Sequence, residues 1–94
     1  MKPVAIILAL ICALAAPAHA DCYADYKAKQ DDPLRLHYGV AKLPDTACSR
    51  DAARAALAPR LKRGGWTLLN IVSVFGDDGL EKRKQSAGSY FLRY

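Results

Sequence analysis

The sequence predicts a small single domain of the α/β or α+β class, with the element order α-β-α-β-α-(β) and one disulfide. Three observations lead to this fold. Residues 34–43 alternate apolar and polar side chains, as a strand with one buried face does. Residues 49–63 carry a helical apolar stripe that ends at two glycines. Residues 66–75 are apolar on both faces, which is typical of a central strand covered on both sides.

The unit formed by residues 34–43, 49–63 and 66–75 is a β-α-β crossover. Such a unit has parallel strands and is right-handed in nearly all known cases, so we expect a two- to three-stranded sheet built around it. Within the helix, Pro59 removes one backbone hydrogen bond, which predicts a bend or a separate last turn.

The segments at the two ends of the mature chain are predicted from shorter patterns. Residues 22–30 predict a short helix, because Tyr23 and Tyr26 are spaced to share an inner face. Residues 76–79 predict a turn whose Asp78 caps a helix that reaches residue 87. Residues 90–94 have strand-like composition and predict a short last strand. One alternative is that the preceding helix continues through this segment. The other is that the turn at residues 76–79 forms a hairpin, with the following segment pairing back onto residues 66–75.

The first twenty residues have the pattern of a secretory signal peptide. Lys2 supplies a positive charge, residues 4–16 are apolar, and residues 18–20 (AHA) form a cleavage pattern. The apolar segment is too short to cross a membrane, although an uncleaved anchor is the alternative. The expected product is one small mature domain, residues 21–94, that is periplasmic or secreted and has no membrane span.

One of the three cysteines leaves with this signal peptide, so a single pairing remains, between Cys22 and Cys48. In an oxidising compartment these two residues are expected to form a disulfide. It would close a loop of roughly 26 residues, which stabilises a fold by about 3–3.5 kcal/mol in the chain-entropy model. A reactive thiol pair is the alternative. The two cysteines and His37 match no zinc-finger spacing, so no metal and no other cofactor are predicted.

Positive charge is concentrated in the second half of a chain whose formal net charge is +5. A basic surface favours anionic partners, although a solvated face without a partner is the alternative. In an exported protein the expected partner is an anionic cell-envelope polymer or another protein, and nucleic acid is not expected. The predicted binding residues are Arg50, Arg54, Lys62, Arg63, Lys82, Arg83 and Lys84.

The leading interpretation is therefore a non-enzymatic exported binding module. The first alternative is a small periplasmic enzyme or enzyme accessory subunit that uses His37, the weak candidate for catalysis. The pattern places this histidine on the wetter face of its strand, with no nucleophile or orienting carboxylate nearby in sequence, so a surface histidine is favoured. A secreted cationic effector is the third interpretation. Asn70 is polar within an apolar strand, where such a residue orients a ligand or satisfies a backbone group.

Residues 38–44 and 51–74 resemble, in outline, one half of a SPOR-type peptidoglycan-binding domain. The shared features are a strand, an alanine-rich helix, a glycine turn and a second strand. The resemblance covers about half of the mature chain and implies a cell-wall glycan as the partner.

Overall fold

The computed structural model describes residues 21–93. The predicted signal peptide and Tyr94 lie outside the described residues. The described part is a small mixed α/β domain in which three strands and two helices follow the order β-β-α-β-α. The elements are β1 (Cys22–Gln30), β2 (Arg35–Leu43), α1 (Arg50–Arg63), β3 (Thr67–Phe75) and α2 (Glu81–Ala87). Neither helix of residues 21–93 has the length and apolar character needed to cross a membrane.

The three strands form one sheet in the order β2-β1-β3, and β1 pairs antiparallel with both neighbours. Strands β2 and β3 therefore run in the same direction, as the predicted crossover through α1 requires, but β1 lies between them. The prediction that residues 66–75 form the central strand is wrong: β3 is an edge strand and β1 is central. The handedness of the crossover stays a prediction.

Strand β1 corrects the predicted first helix over residues 22–30. Its side chains alternate, so that Ala24, Tyr26 and Ala28 pack beneath α1, whereas Asp25 lies on the opposite face near α2. We call these two surfaces of the sheet the α1 face and the α2 face. Because alanine is depleted in strands, the alternation of this segment does not stand out in the sequence. Pairing with a neighbour on both sides of β1 overrides this local propensity. The small alanines let α1 lie close to the sheet.

Tyr26 fills the centre of the α1 face and is fully buried. Its register partner on β2 is Gly39. A Cβ atom at Gly39 would lie 2.5 Å from the Tyr26 hydroxyl oxygen and 2.6 Å from the ring carbon that carries it. Only glycine leaves room for this ring, so position 39 is fixed by the packing of Tyr26.

Strand β3 contains two register shifts against β1, and these explain why its faces were assigned wrongly. Leu68, Ile71 and Val74 pair with Ala28, Tyr26 and Ala24 on the α1 face, so they are three residues apart instead of two. The extra residues at the two shifts, Leu69 and Val72, have no partner on β1 and are exposed. A β-bulge inserts one residue and changes the phase of the alternation, which a strict period of two cannot show.

Strand β2 lies where the sequence predicts it, but its pattern of burial differs. Leu36 was expected to be buried, and it is 67% exposed. His37 was expected on the wetter side, and it is 8% exposed because it points into the α1 face. The prediction of a surface histidine is therefore wrong. Helix α2 does not reach Leu36, and this leaves the predicted inner side of the strand uncovered at its start.

Helix α1 agrees closely with its prediction. The Ser49 side chain accepts a hydrogen bond from the Ala52 amide at 3.2 Å, as an N-cap does. The helix continues through Pro59 as one element, so the predicted alternative of a separate last turn is wrong. At its end the Trp66 amide donates to the Leu61 carbonyl at 2.8 Å, and Gly65 adopts a positive φ of 85°. This arrangement is a Schellman motif, and it turns the chain directly into β3.

The Cys22–Cys48 disulfide is confirmed, with the two Cα atoms 5.6 Å apart. Cys22 faces Leu43 at the open end of the β1–β2 hairpin, and Cys48 follows a few residues later, directly before α1. The bond therefore joins the central strand to the start of the helix that covers it.

The C-terminal segment differs from its prediction in two respects. A short 3-10 turn, Asp77–Gly79, leads into α2, and no side chain caps that helix, so the predicted capping by Asp78 is wrong. The helix ends at Gly88, as expected. The following residues form neither a strand nor more helix: after a 3-10 turn, Phe91 makes a single parallel bridge with Val40 of β2. The hairpin alternative is also wrong, because β3 pairs with β1.

Candidate binding surfaces

The basic residues predicted to bind lie on two helices at opposite faces of the sheet. Leu57 and Leu61 of α1 belong to the core that contains Tyr26, whereas Ala87 of α2 packs with Tyr23 on the other side. The predicted residues therefore do not share one continuous surface. The α1 group comprises Arg50, Arg54, Lys62 and Arg63, and the α2 group comprises Lys82, Arg83 and Lys84.

Arg50 uses its guanidinium inside the fold. Its Nη1 donates to the backbone carbonyl of Ile71, and its Nη2 donates to the carbonyl of Val72 at 3.1 Å. Both carbonyls belong to the edge strand β3. Unpaired backbone groups at a sheet edge invite pairing with another chain, so this arginine protects the edge. Arg60 makes a similar contact at the other edge, donating to the carbonyl of Lys42 at 3.1 Å.

Arg54 and Lys62 remain available for a ligand. Among residues 21–93 neither side chain takes part in a hydrogen bond or an ion pair, and both are exposed. They stand on the flank of α1 that faces the start of β3, above a groove of about 350 Å³. The groove is lined by Arg54, Ala58, Lys62, Trp66, Thr67 and Leu68.

On the α2 face, a buried carboxylate organises a polar network that the sequence did not reveal. Asp25 is 4% exposed. It accepts hydrogen bonds from the Ser73 hydroxyl at 2.6 Å and the Tyr38 hydroxyl at 2.7 Å. Arg83 completes the set, with its Nε donating to Asp25 at 3.1 Å. One carboxylate thus holds β1, β2, β3 and α2 together.

The electrostatics of this network follow from its geometry. Burial alone would raise the pKa of Asp25, but the hydrogen bonds from Ser73, Tyr38 and Arg83 outweigh it and lower the pKa below its ordinary value. Burial and the neighbouring Asp25 carboxylate raise the pKa of Tyr38 to about 12. Asp25 is therefore ionised at neutral pH and already accepts three donors. A carboxylate so arranged anchors a structure and is poorly placed to act as a general base.

Arg83 is therefore a structural residue more than a ligand-binding one. Besides Asp25, its Nη1 donates to the carbonyl of Gly79 at 2.7 Å, and its guanidinium carbon lies 4.0 Å from the centre of the Phe75 ring. The ring adds a cation–π contact to the ion pair. The two lysines of the α2 group, Lys82 and Lys84, are exposed.

His37 lies in an aromatic cluster on the α1 face. Its ring stacks on Tyr90 with centroids 3.8 Å apart, meets Trp66 edge-on at 4.2 Å, and has Nε2 at 3.0 Å from the Tyr26 hydroxyl. Burial lowers the pKa of this histidine. Its Nδ1 is buried and has no hydrogen-bond partner among residues 21–93. No carboxylate orients the ring in this cluster, so the geometry resembles core packing more than an acid–base site.

Asn70 is exposed on β3, so it is not the buried polar residue that its neighbours suggested. Both cysteines are consumed by the disulfide, and within residues 21–93 no three histidine, cysteine or acidic side chains group as ligands of a metal ion would.

Comparison with known proteins found no matching family model, no matching curated protein and no matching solved structure. The outline resemblance to SPOR-type domains is therefore not supported by a family match.

Proposed function

We propose that this protein is a non-enzymatic, exported binding module whose groove between α1 and β3 takes an anionic polymer of the cell envelope. The observation that carries this proposal is that Arg54 and Lys62 are exposed and have no hydrogen bond or ion pair among residues 21–93. They are the exposed cations of α1 that flank a groove, whereas Arg50 is used to protect the edge of β3. Their positive field attracts anionic groups.

The shape of the groove supports a chain-like ligand. Arg54 and Lys62 are two helical turns apart, which separates their Cα atoms by about 12 Å. Ala58 lies between them and leaves the space open, while Trp66 and Leu68 line the groove beside β3. Two cations spaced along an open channel suit a polymer with repeated carboxylates or phosphates better than a compact ligand.

Export is the second part of the proposal. It is supported by the signal-peptide pattern of the first twenty residues and by the disulfide, which is typical of proteins in oxidising compartments. Mass spectrometry of the protein from the extracytoplasmic fraction should give a mature chain that starts at Asp21 and carries the oxidised cysteine pair. A full-length chain retained in the cytoplasm with free thiols would contradict this part.

Binding to purified cell-wall sacculi tests the groove. The double variant Arg54→Gln/Lys62→Gln should bind about tenfold more weakly than the unaltered chain, since each exposed charge pair is worth up to about 1 kcal/mol. Raised salt should likewise weaken the binding of the unaltered chain to the sacculi.

The matched control removes the same charge from the opposite face. Lys82→Gln/Lys84→Gln should retain binding, because these residues lie on α2. Equal loss in both double variants would show that net charge alone is responsible, and loss in the α2 variant only would overturn the assignment to the α1–β3 groove.

A further inference from the structure

The α2 face is covered along only part of its length. Strands of nine residues extend about 30 Å. Helix α1 has 14 residues and a length of about 21 Å, whereas α2 has 7 residues and a length of about 10 Å. Helix α2 lies over Tyr23 and Asp25, and beyond Lys27 no helix within residues 21–93 covers this face.

The uncovered part carries apolar side chains on both outer strands. Leu36 of β2 is 67% exposed, and Leu69 of β3, which the bulge leaves without a partner, is 43% exposed. Together with Lys27, Tyr38, Ala28 and His37 they line a depression of about 280 Å³. Since β1 lies between the outer strands, the two leucines are separated by about two strand spacings, or roughly 10 Å. We call this surface, formed by Lys27, Leu36, Tyr38 and Leu69, the open shelf.

The charge on the open shelf is positive and uncompensated. Lys27 stands between the two leucines, and its side chain makes no ion pair within residues 21–93. Lys29, the next residue of β1 on this face, is paired with Asp31 at 3.5 Å. The acid that precedes Lys27 on this face of β1, Asp25, is already engaged by Tyr38, Ser73 and Arg83. A ligand that covers the leucines must therefore also satisfy a lysine.

We infer that the open shelf binds an acidic amphipathic helix of a partner protein. Such a helix would lie beside α2 and extend its layer, presenting apolar side chains to Leu36 and Leu69 and a carboxylate to Lys27. The shelf is bounded by α2 on one side, and its width matches the diameter of about 10 Å of a helix. This site is separate from the α1–β3 groove of the proposed function and lies on the opposite face.

Two other occupants fit less well. A second copy of this chain would bring the Lys27 side chains together, and facing like charges oppose association. A lipid surface is broad and flat, whereas the two leucines flank a depression beside a helix.

Site-specific photo-crosslinking in the cells that produce the protein tests the inference. A photoreactive residue is placed at Leu36 or at Leu69, with Ala55, exposed on α1, as the control position. The crosslinked segment is then identified by mass spectrometry. The inference predicts that both shelf positions, and not position 55, crosslink to one protein segment with helical apolar periodicity and flanking acids. Crosslinks to lipid, to a second copy, to a basic or extended segment, or to nothing would overturn it.

Charge reversal provides the matched comparison. Lys27→Glu should reduce the yield of the shelf crosslink by about tenfold, because it replaces an attraction with a repulsion. Lys84→Glu, which makes the same change on exposed α2, should leave the yield within about twofold. The groove variant Arg54→Gln/Lys62→Gln should also leave it unchanged, so a failure here is distinct from a failure of the proposed function. Equal loss in Lys27→Glu and Lys84→Glu would contradict the site.

Discussion

The two faces of the sheet are stabilised by different physical means. On the α1 face, a helix of 14 residues buries Leu57 and Leu61 against Tyr26 and Ile71. On the α2 face, a helix of 7 residues is attached through a buried carboxylate and leaves part of the sheet uncovered. The difference indicates a division of roles: the α1 face supplies the main apolar core, and the α2 face supplies an open shelf.

The attachments of the helices differ in the same way. The disulfide joins β1 to the residue just before the N-cap of α1, so that helix is held covalently as well as by its core. Helix α2 depends on Arg83, whose ion pair with Asp25 is flanked by the Phe75 ring. Removing one attachment at a time measures how much each contributes.

The largest effect is expected from Asp25→Ala. The change leaves the Arg83 guanidinium partly buried without its carboxylate and removes the acceptor of Tyr38 and Ser73. Breaking a buried ion pair by removing one partner typically costs about 3–5 kcal/mol. Urea denaturation should show a loss of that size, whereas Ser73→Ala should cost about 1–3 kcal/mol. A loss below about 1 kcal/mol for Asp25→Ala would show that α2 is held by other contacts.

The next effect is the loss of the disulfide on the α1 side. The double variant Cys22→Ser/Cys48→Ser should be less stable by about 3–3.5 kcal/mol, from the entropy of an opened loop whose ends are 26 residues apart. Urea denaturation of the variant, compared with the reduced and oxidised unaltered chain, gives the measurement. If the reduced chain and the variant are as stable as the oxidised chain, the covalent attachment contributes nothing.

A smaller effect is expected in the pH dependence of stability, because His37 on the α1 face and Asp25 on the α2 face titrate in different pH ranges. His37 has a lowered pKa in the folded state, so its contribution is present above its ordinary value of 6.5 and is lost as pH falls below it. Asp25 also has a lowered pKa, and its contribution is lost only as pH falls below the ordinary value of 3.8. Stability measured by urea denaturation should therefore decline in two steps as the solution is acidified.

Replacement of the histidine identifies the first step. His37→Phe keeps an aromatic ring against Tyr90 and removes the titrating group, so the decline just below pH 6.5 should disappear while the acidic step remains. Persistence of the first step in His37→Phe would mean that another group is responsible.

The sequence was sufficient for the elements whose signals are local. Helix α1, with its Ser49 cap and its glycine end, was predicted correctly because capping and the apolar stripe lie within the helix itself. The disulfide was predicted because two cysteines allow one pairing. Strand β2 was located from the alternation of its side chains, and β3 from its run of apolar residues.

The order of the strands could not be obtained in this way, because it depends on contacts distant in sequence. The segment 22–30 was predicted as a helix from the spacing of Tyr23 and Tyr26. Once it is known to be a strand, Asp25 falls on the inner side of the α2 face, and the network becomes visible. The bulges at Leu69 and Val72 shift the alternation of β3, which made both of its sides appear buried.

The candidate sites were predicted in part. The basic residues of α1 and α2 were recognised by charge, but charge alone does not show that Arg50 and Arg83 are used within the fold. The open shelf could not be predicted from the sequence, because the alternation of β2 indicates that Leu36 is buried. Its exposure depends on where α2 packs on the sheet, a tertiary property that no local pattern reports.

Native-state amide hydrogen exchange tests the contrast between the two faces most directly. Amides of α1 around Leu57 and Leu61 should exchange only through global unfolding, whereas amides 85–87 of α2 should exchange through local opening that costs about 2 kcal/mol less. The corresponding difference in protection is about thirtyfold. Equal protection of α1 and α2, with both at the global value, would contradict the claim that the α2 face is the weaker and more open side of this fold.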